Sequence, residues 1–448
     1  MKKVVTRIAP SPTGQMHIGT VRTALFNYLF AKKYGGTYFV RIEDTDRERN
    51  KEEWVDAIWQ DFAWCGLEPD AKYRTSEMLG RHKELLRELV STDKAYVSKE
   101  PAKDDPNRTV EVVRLRNPGT SVTFEDLIRG TVTFDTTELG DFVIARAIDD
   151  PLYHFAVVVD DGDAGVTHIL RAEEHISNTP RQILILEALG LERPSYAHLP
   201  LILAPDRSKL SKRKHGASVD KYREQGILPH ALINYLALLG WNPGTDQEIF
   251  SMDELIQLFD LSGVHKGGAI FDMEKLRWFN RQYLHKITDD EFEAKSLHVL
   301  QEQVGKRGLP YSEKTARAIL PITKDRISAW GDLEKIITEG ELDFFFEAPD
   351  LAEKKQKIPE KKSTSAQASA HLSRIIELLS DVESFTYDNV KNAVWEYAST
   401  EGRGAVLWPF RYSLTGMDKS PDPFAVASVL GKEETLKRVS TAIQLITV

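Results

Sequence analysis

Apolar and polar positions fall in distinct blocks along the first part of the chain. Val4, Val5 and Ile8 form a short apolar run bounded by Pro10, Pro12 and Gly14, which predicts a strand entering a tight polar turn. Beyond the turn, Val21, Leu25, Tyr28 and Leu29 recur at helical spacing, and a second apolar run, FVRIEDTD, ends in acids. Strand, helix and strand in that order predict a βαβ unit, because parallel strands need a crossover of about this length. Ser11 to Thr20 then lies between the carboxyl end of a strand and the amino end of a helix. Open α/β sheets bind ligands there, and free backbone N–H groups favour phosphate.

The pattern continues with an amphipathic helix over 47–65, apolar at Trp54, Ile58 and Phe62, and another over 77–90 with Leu79, Leu85, Leu86 and Leu89. From Ala95 to Phe142 short β-like runs alternate with turns such as Asn117-Pro118-Gly119, predicting a small insertion between two halves of one sheet. Tyr153 to Asp161, YHFAVVVDD, is almost continuously apolar and reads as a buried parallel strand. Val166 to Leu170 and Tyr196 to Leu203 read as further strands around a helix over 180–189. After Leu228 helices dominate: 229–239, 252–259, 273–284 with Trp278 and Phe279 in the core, a helix-rich 289–347, then 371–379, 389–397 and 432–445. GRGAVLWPFRYSLTG and SPDPF read as separators, and 353–370 as a surface linker, a helix start or a phosphate-contacting strip. No internal repeat is present.

A chain of 448 residues exceeds what one core usually serves, so about two to four domains are expected. The single cysteine, Cys65, excludes an internal disulfide framework and a cysteine-only metal site. No apolar run is long enough to span a bilayer, and the segment before Val4 is too short for a signal peptide, so a cytoplasmic protein is expected. The net charge of −9 does not itself point to nucleic acid, but residues 207–223, RSKLSKRKHGASVDKYR, concentrate basic charge locally. A polynucleotide substrate is therefore compatible with the composition.

The chain contains neither GxGxxG nor GxxxxGK[ST], which argues against an ordinary dinucleotide or Walker-type site. The first turn instead carries His17-Ile18-Gly19-Thr20. A histidine there can donate to a phosphate oxygen, and Gly19 leaves room for something flat against the backbone. The second distinctive stretch is Lys209-Leu210-Ser211-Lys212-Arg213. A loop can turn both lysines toward one polyphosphate, with Ser211 donating beside them, which makes an electrostatic clamp for a reaction that shifts phosphoryl charge. Taken alone, such a pentamer also fits an ordinary solvated loop.

Together the two stretches resemble the HIGH and KMSKS signatures of class I aminoacyl-tRNA synthetases, with Thr20 in place of the last histidine and Leu210 in place of methionine. TRIAPSPTGxxHIG, FVRIEDTD, VVVDD and KLSKR resemble the bacterial-type glutamyl-tRNA synthetases, strongly from residue 1 to about 290 and more loosely beyond, where GRGAVLWPFRYSLTG and SPDPF are similar to the anticodon-binding region. The resemblance implies an α/β fold: a Rossmann-type nucleotide-binding domain over 1–94 and 151–216, with an inserted α+β acceptor-end-binding domain over 95–150. A helical stem-contact region over 217–300 and an all-helical anticodon-binding region over 301–448 would follow. The implied reaction joins L-glutamate to the 3′ end of tRNA(Glu) through a glutamyl-adenylate, with ATP as substrate, Mg2+ carried mainly by the ATP, and a monomer as the working unit. It needs positioning and charge stabilisation, and no covalent protein nucleophile.

The resemblance also implies residue roles. His17, Lys209 and Lys212 would be catalytic, and with Gly19 and Ser211 would hold ATP, while Glu174 would lie near its ribose and Leu201 and Ile202 border the adenine. Arg7 and Arg171 would take the glutamate side chain, for which a planar fork suits a carboxylate. Glu43 would take its ammonium, with Ser11 and Tyr153 lining the pocket. Asp44 and Asp46 read as structural partners of arginines. Many relatives carry zinc-binding cysteines in the inserted domain, whereas residues 95–125 contain none here, so no zinc is expected. Charging of tRNA(Gln) as well stays open, with Arg403 and Arg411 as candidate RNA contacts. A glutamine-specific enzyme, a queuosine-modifying paralogue or a silent tRNA-binding protein are the competing readings. The PSPTG and RIEDTD wording, the long second half and the intact His17, Lys209 and Lys212 respectively argue against them.

Overall fold

In the computed structural model, which describes residues 3–45, 48–102, 105, 107–359 and 363–447, β1 (Val5–Ile8) pairs in parallel with β2 (Thr37–Ile42) across α1 (Ile18–Lys33). Gly36 leads into the second strand, and the position takes glycine because a Cβ there would stand 2.3 Å from the Val4 carbonyl oxygen. α2 (Glu52–Trp64) leads to β3 (Ala71–Arg74), parallel to β2. α1 is buried on nearly all sides, including Arg22 and Asn27, as expected of a helix covered both by a sheet and by other helices.

α3 (Leu79–Ser91) precedes the insertion. There β4 (Ala95–Pro101) and β5 (Thr109–Leu115) are followed by the hairpin of β6 (Ser121–Asp126) and β7 (Gly130–Asp135), then by β8 (Phe142–Ala147) and β9 (Asp150–Pro151). β4, β5, β8 and β9 form one antiparallel sheet. The hairpin leaves it and joins the catalytic sheet instead.

α4 (Tyr153–Asp163), β10 (His168–Ala172), α5 (Thr179–Leu189) and β11 (Ser195–Leu199) complete the second half. β10 and β11 are parallel, and β6 meets β11 at Asp126 opposite Tyr196. The Thr167 amide donates to the Val5 carbonyl at 3.0 Å, carrying the sheet from β1 toward β10. The winding reverses between these two strands, so ligand space opens beyond their carboxyl ends.

YHFAVVVDD is therefore a helix, not the strand its composition predicts. A short segment buried on all sides shows no period, and β-branched residues there follow tertiary context over propensity. The predicted strand over 196–203 also divides: β11 stops before Pro200, which has no N–H for a ladder, and β12 (Ile202–Leu203) pairs with β13 (Ala269–Ile270). Between them lie α6 (Lys212–His215), α7 (Val219–Glu224), α8 (Pro229–Leu238) and α9 (Met252–Leu258). In α10 (Met273–Lys286), Phe279 is buried but Trp278 is 38% exposed, and Lys275 covers its ring at 4.3 Å.

The chain divides into two units, Met1–Gln282 and Tyr283–Val448. The second is helical: α11 (Asp289–Lys306), α12 (Glu313–Arg326), α13 (Trp330–Thr338), α14 (Ser365–Ser380), α15 (Tyr387–Glu401), α16 (Arg403–Thr415) and α17 (Pro423–Thr447), the last broken in two at Gly431, where φ is 80°. The stretch read as a separator is α16, which tolerates Pro409 while burying Val406, Phe410, Tyr412 and Leu414. The expected linker holds a 3-10 turn at Ala352–Lys357 and the capped start of α14; residues 360–362 lie outside the described residues. Among the described residues no helix is long and apolar enough to cross a membrane.

Candidate active site

A cavity of about 580 Å³ opens where β1, β10 and the start of α1 converge, and every side chain expected at the nucleotide or the amino acid lines it. His17 is the extended N-cap of α1, and its Nδ1 accepts from the Gly19 amide at 2.9 Å. Burial, with Lys212 and Lys209 nearby, pushes its pKa down to about 4. The ring is therefore neutral at physiological pH, and the proton sits on Nε2, which is buried without a partner. A Cβ on Gly19 would stand 2.9 Å from Nδ1, so this cap needs glycine.

The lysine loop is fastened to that turn. Ile18 N donates to Ala217 O at 3.1 Å and Val219 N to Met16 O at 3.0 Å, while Leu210 is buried and its amide bonds Ile202 O at 3.0 Å. Lys209 forms an ion pair with Glu174. Ser211 caps α6, accepting from Lys214 N at 3.3 Å. Lys212 is exposed, yet desolvation of its ammonium lowers its pKa, and among the described residues no carboxylate pairs with it. The two lysines thus differ: one is held by an acid and one awaits an anion.

The opposite wall is built on buried charge. Arg7, at the end of β1, donates Nε and Nη2 to Asp161 at 3.1 and 2.8 Å. Arg41 Nη1 reaches the same carboxylate at 2.5 Å, and His82 Nε2 lies 2.6 Å from Asp160. Against the opposing effect of burial, Arg7 and Arg41 hold Asp161 down to about 2. For Glu43 the balance reverses: burial, only partly offset by Arg41 and Arg7, raises its carboxyl to about 7. Tyr153 starts α4 beside it, with its phenol raised by burial, and Ser11 is exposed at the mouth.

Arg171 is wired differently from Arg7. Its Nε donates to His198 Nε2 at 3.2 Å, Nη1 to Gln182 Oε1 at 2.7 Å and Nη2 to Thr179 Oγ1 at 2.8 Å. These acceptors are neutral, and burial lowers the Arg171 pKa. A cation only 6% exposed, with no carboxylate partner among the described residues, is an arrangement an anionic ligand would stabilise.

Sequence reasoning missed the supporting groups, namely Asp161, Asp160, Arg41, His198 and Asp126. It also missed Arg22, whose guanidinium bonds the carbonyls of Pro200 and Leu239 and fixes the backbone before Leu201. The adjacent acids of VVVDD were visible, but nothing local says which arginines they meet. Asp44 accepts from Ser76 N at 2.8 Å and Ser76 Oγ at 2.6 Å, and among the described residues no arginine hydrogen-bonds to it. Asp46 lies outside the described residues.

The model of the family described as tRNA synthetases class I (E and Q), catalytic domain, matches residues 3–105 and 101–278. The chain belongs to this synthetase family. An anticodon binding domain model matches residues 274–443. Among relatives of this synthetase, the glutamate–tRNA ligase of Heliobacterium modesticaldum is 37% identical over 493 residues, covering 99% of this chain and 98% of that protein. That of Oleidesulfovibrio alaskensis is 38% identical over 475 residues, covering 99% and 100%. The synthetase also superimposes on a crystal structure of a glutamate tRNA ligase from Elizabethkingia meningosepticum in complex with its amino acid, with a TM-score of 0.84, 31% identity and 99% of each chain covered.

Proposed function

We propose that this synthetase activates L-glutamate with ATP and transfers it to the 3′ end of tRNA(Glu). The observation that carries the reading is the pairing, in one cavity, of a buried arginine with neutral partners, Arg171, and a half-buried acid poised to ionise, Glu43. Glutamate offers an anion to the first and an ammonium to the second. Arg7 adds a second guanidinium to the side-chain pocket, and Tyr153 and Ser11 close it. His17 donates Nε2–H to a phosphate oxygen, Gly19 admits the nucleotide, and Leu201 and Ile202 border the adenine. Lys212 and Lys209, with Ser211, hold the phosphates, and Glu174 turns from Lys209 toward the ribose.

In the first step a glutamate α-carboxylate oxygen bonds to the α-phosphorus as the bridging oxygen leaves with pyrophosphate. In the second, a terminal ribose hydroxyl attacks the activated carbonyl, loses its proton and displaces AMP. The magnesium we propose arrives on ATP, since Mg2+ is held largely by substrate phosphates and water. Residues 95–150 receive the acceptor end, 217–300 the stem and 301–448 the anticodon, with the protein working as a monomer in the cytoplasm.

Charging of separate tRNA(Glu) and tRNA(Gln) with labelled glutamate, with and without magnesium, tests the proposal. We expect magnesium-dependent charging of tRNA(Glu). Charging of tRNA(Gln) as well would mark a non-discriminating enzyme, and charging of neither would overturn the assignment. A second expectation concerns pH. The ammonium needs an ionised Glu43, so the glutamate KM should rise as pH falls below about 7, approaching tenfold per unit, while the ATP KM stays flat. A glutamate KM constant from about pH 8 to about pH 6 would contradict that role for Glu43.

A further inference from the structure

The inserted hairpin reaches the amino-acid pocket through a short chain of buried groups. Asp126, the last residue of β6, is 3% exposed and His198, on β11, is fully buried. Asp126 Oδ2 lies 2.6 Å from His198 Nδ1 and accepts from His198 N at 3.1 Å, while Oδ1 accepts from Ile128 N at 3.0 Å and Arg129 N at 2.8 Å. Three of these partners are backbone N–H donors, and, against the opposing effect of burial, His198 and the Arg129 and Ile128 amides hold the Asp126 carboxyl below its ordinary range, so the group is an ionised carboxylate and the His198 proton faces it on Nδ1. Nε2 is then a lone pair, and Arg171 Nε donates to it at 3.2 Å. Burial keeps His198 below its usual range against the pull of Asp126, so the ring stays neutral.

We infer that Asp126, supplied by the inserted hairpin, is a positioning residue for the amino-acid substrate: acting through His198, it keeps an acceptor turned toward Arg171 and so fixes that guanidinium at the pocket wall. This rests on the proposed contact between Arg171 and the glutamate carboxylate. The tautomer decides which neighbour Nε2 serves: as a lone pair it accepts from Arg171 Nε, and as an N–H it would face Thr179 Oγ1, also 3.2 Å away. A histidine of the other tautomer, or one protonated twice, would turn an N–H against the Arg171 Nε–H. Arg171 would then have to rotate, because its Nη1 and Nη2 already engage Gln182 and Thr179.

Asp126→Asn changes the tautomer with little change of shape. The three backbone amides at Oδ1, of Ile128, Arg129 and His198, retain the amide oxygen, which leaves the NH₂ facing His198 Nδ1 and moves its proton to Nε2. In aminoacylation by the full chain with tRNA, we expect the glutamate KM to rise about tenfold and the ATP KM to stay within about twofold. His198→Ala should do the same. His198→Gln, which can turn an amide oxygen to Arg171 and an N–H to Asp126, should restore most of the loss. In ¹⁵N-histidine NMR, His198 Nε2 should be unprotonated in the natural protein and protonated in Asp126→Asn.

Unchanged glutamate KM in both Asp126→Asn and His198→Ala would overturn the inference. So would equal rises in both KM values, or failure of His198→Gln to rescue, since each marks a merely structural role. Arg171→Ala separates the two levels. If it raises the glutamate KM while Asp126→Asn does not, the relay fails and the pocket assignment stands. If it leaves that KM unchanged, the pocket assignment fails and the relay falls with it.

Discussion

Lys212→Ala is expected to slow adenylate formation by about 10²–10³-fold while moving the glutamate KM by less than about threefold. The expectation follows from the difference between the two lysines. Lys209 starts in an ion pair with Glu174, so part of what it offers to phosphate replaces an interaction already made. Lys212 has no such partner among the described residues, and desolvation already disfavours its ammonium. Its charge is therefore stabilised most when negative charge accumulates on the departing pyrophosphate, and an interaction made mainly in the transition state acts on the rate. Single-turnover measurement of adenylate with saturating glutamate checks it. A parallel loss of glutamate affinity would place Lys212 in the amino-acid pocket and undo the clamp.

Asp161→Asn is expected to cost about 3–5 kcal/mol of stability and to weaken glutamate binding with it. One carboxylate answers both Arg7 and Arg41, and all three side chains are less than a tenth exposed. Asparagine keeps the volume but leaves Arg7 facing a neutral amide and Arg41 with only Asp160, 3.4 Å from its Nε. The effect is pH-dependent in a defined sense. The carboxyl sits at about 2 in the fold, below its ordinary value of about 4, so its contribution is complete above about pH 4 and fades as pH falls through about 2. The gap between the variant and the natural protein should close over that range. Urea unfolding should be followed with a probe in the first unit, because two units need not unfold together. A variant as stable as the natural protein at neutral pH would show that the network is held by its surroundings.

Much of the catalytic half was legible because its signals are local. β1, α1 and β2 are set by a clear change of period and by Pro10, Pro12 and Gly14, and the His17 turn and lysine loop follow from residue type and place. What failed was not local. The helix at Tyr153–Asp163 is buried on all sides from Phe155 to Asp161 and α16 carries a proline in its interior, so neither shows the pattern that normally distinguishes it. The distinction between Arg7 and Arg171 was also hidden. Both are arginines at strand ends, and only the fold shows that one is met by Asp161 from 154 positions away, while the other leans on His198 and hence on Asp126, 72 positions from that histidine.

The docking of β6 against β11 limits how such enzymes can exchange parts. A chimera that trades the whole of 95–150 for a relative's segment also replaces the carboxylate behind His198 and the backbone neighbour of Tyr196. Exchange confined to the outer antiparallel sheet, with β6 and β7 left in place, keeps both. Lengthening or shortening the segment outside the hairpin leaves the pairing of Asp126 with Tyr196 and the bond to His198 in place, whereas a change within the hairpin removes them.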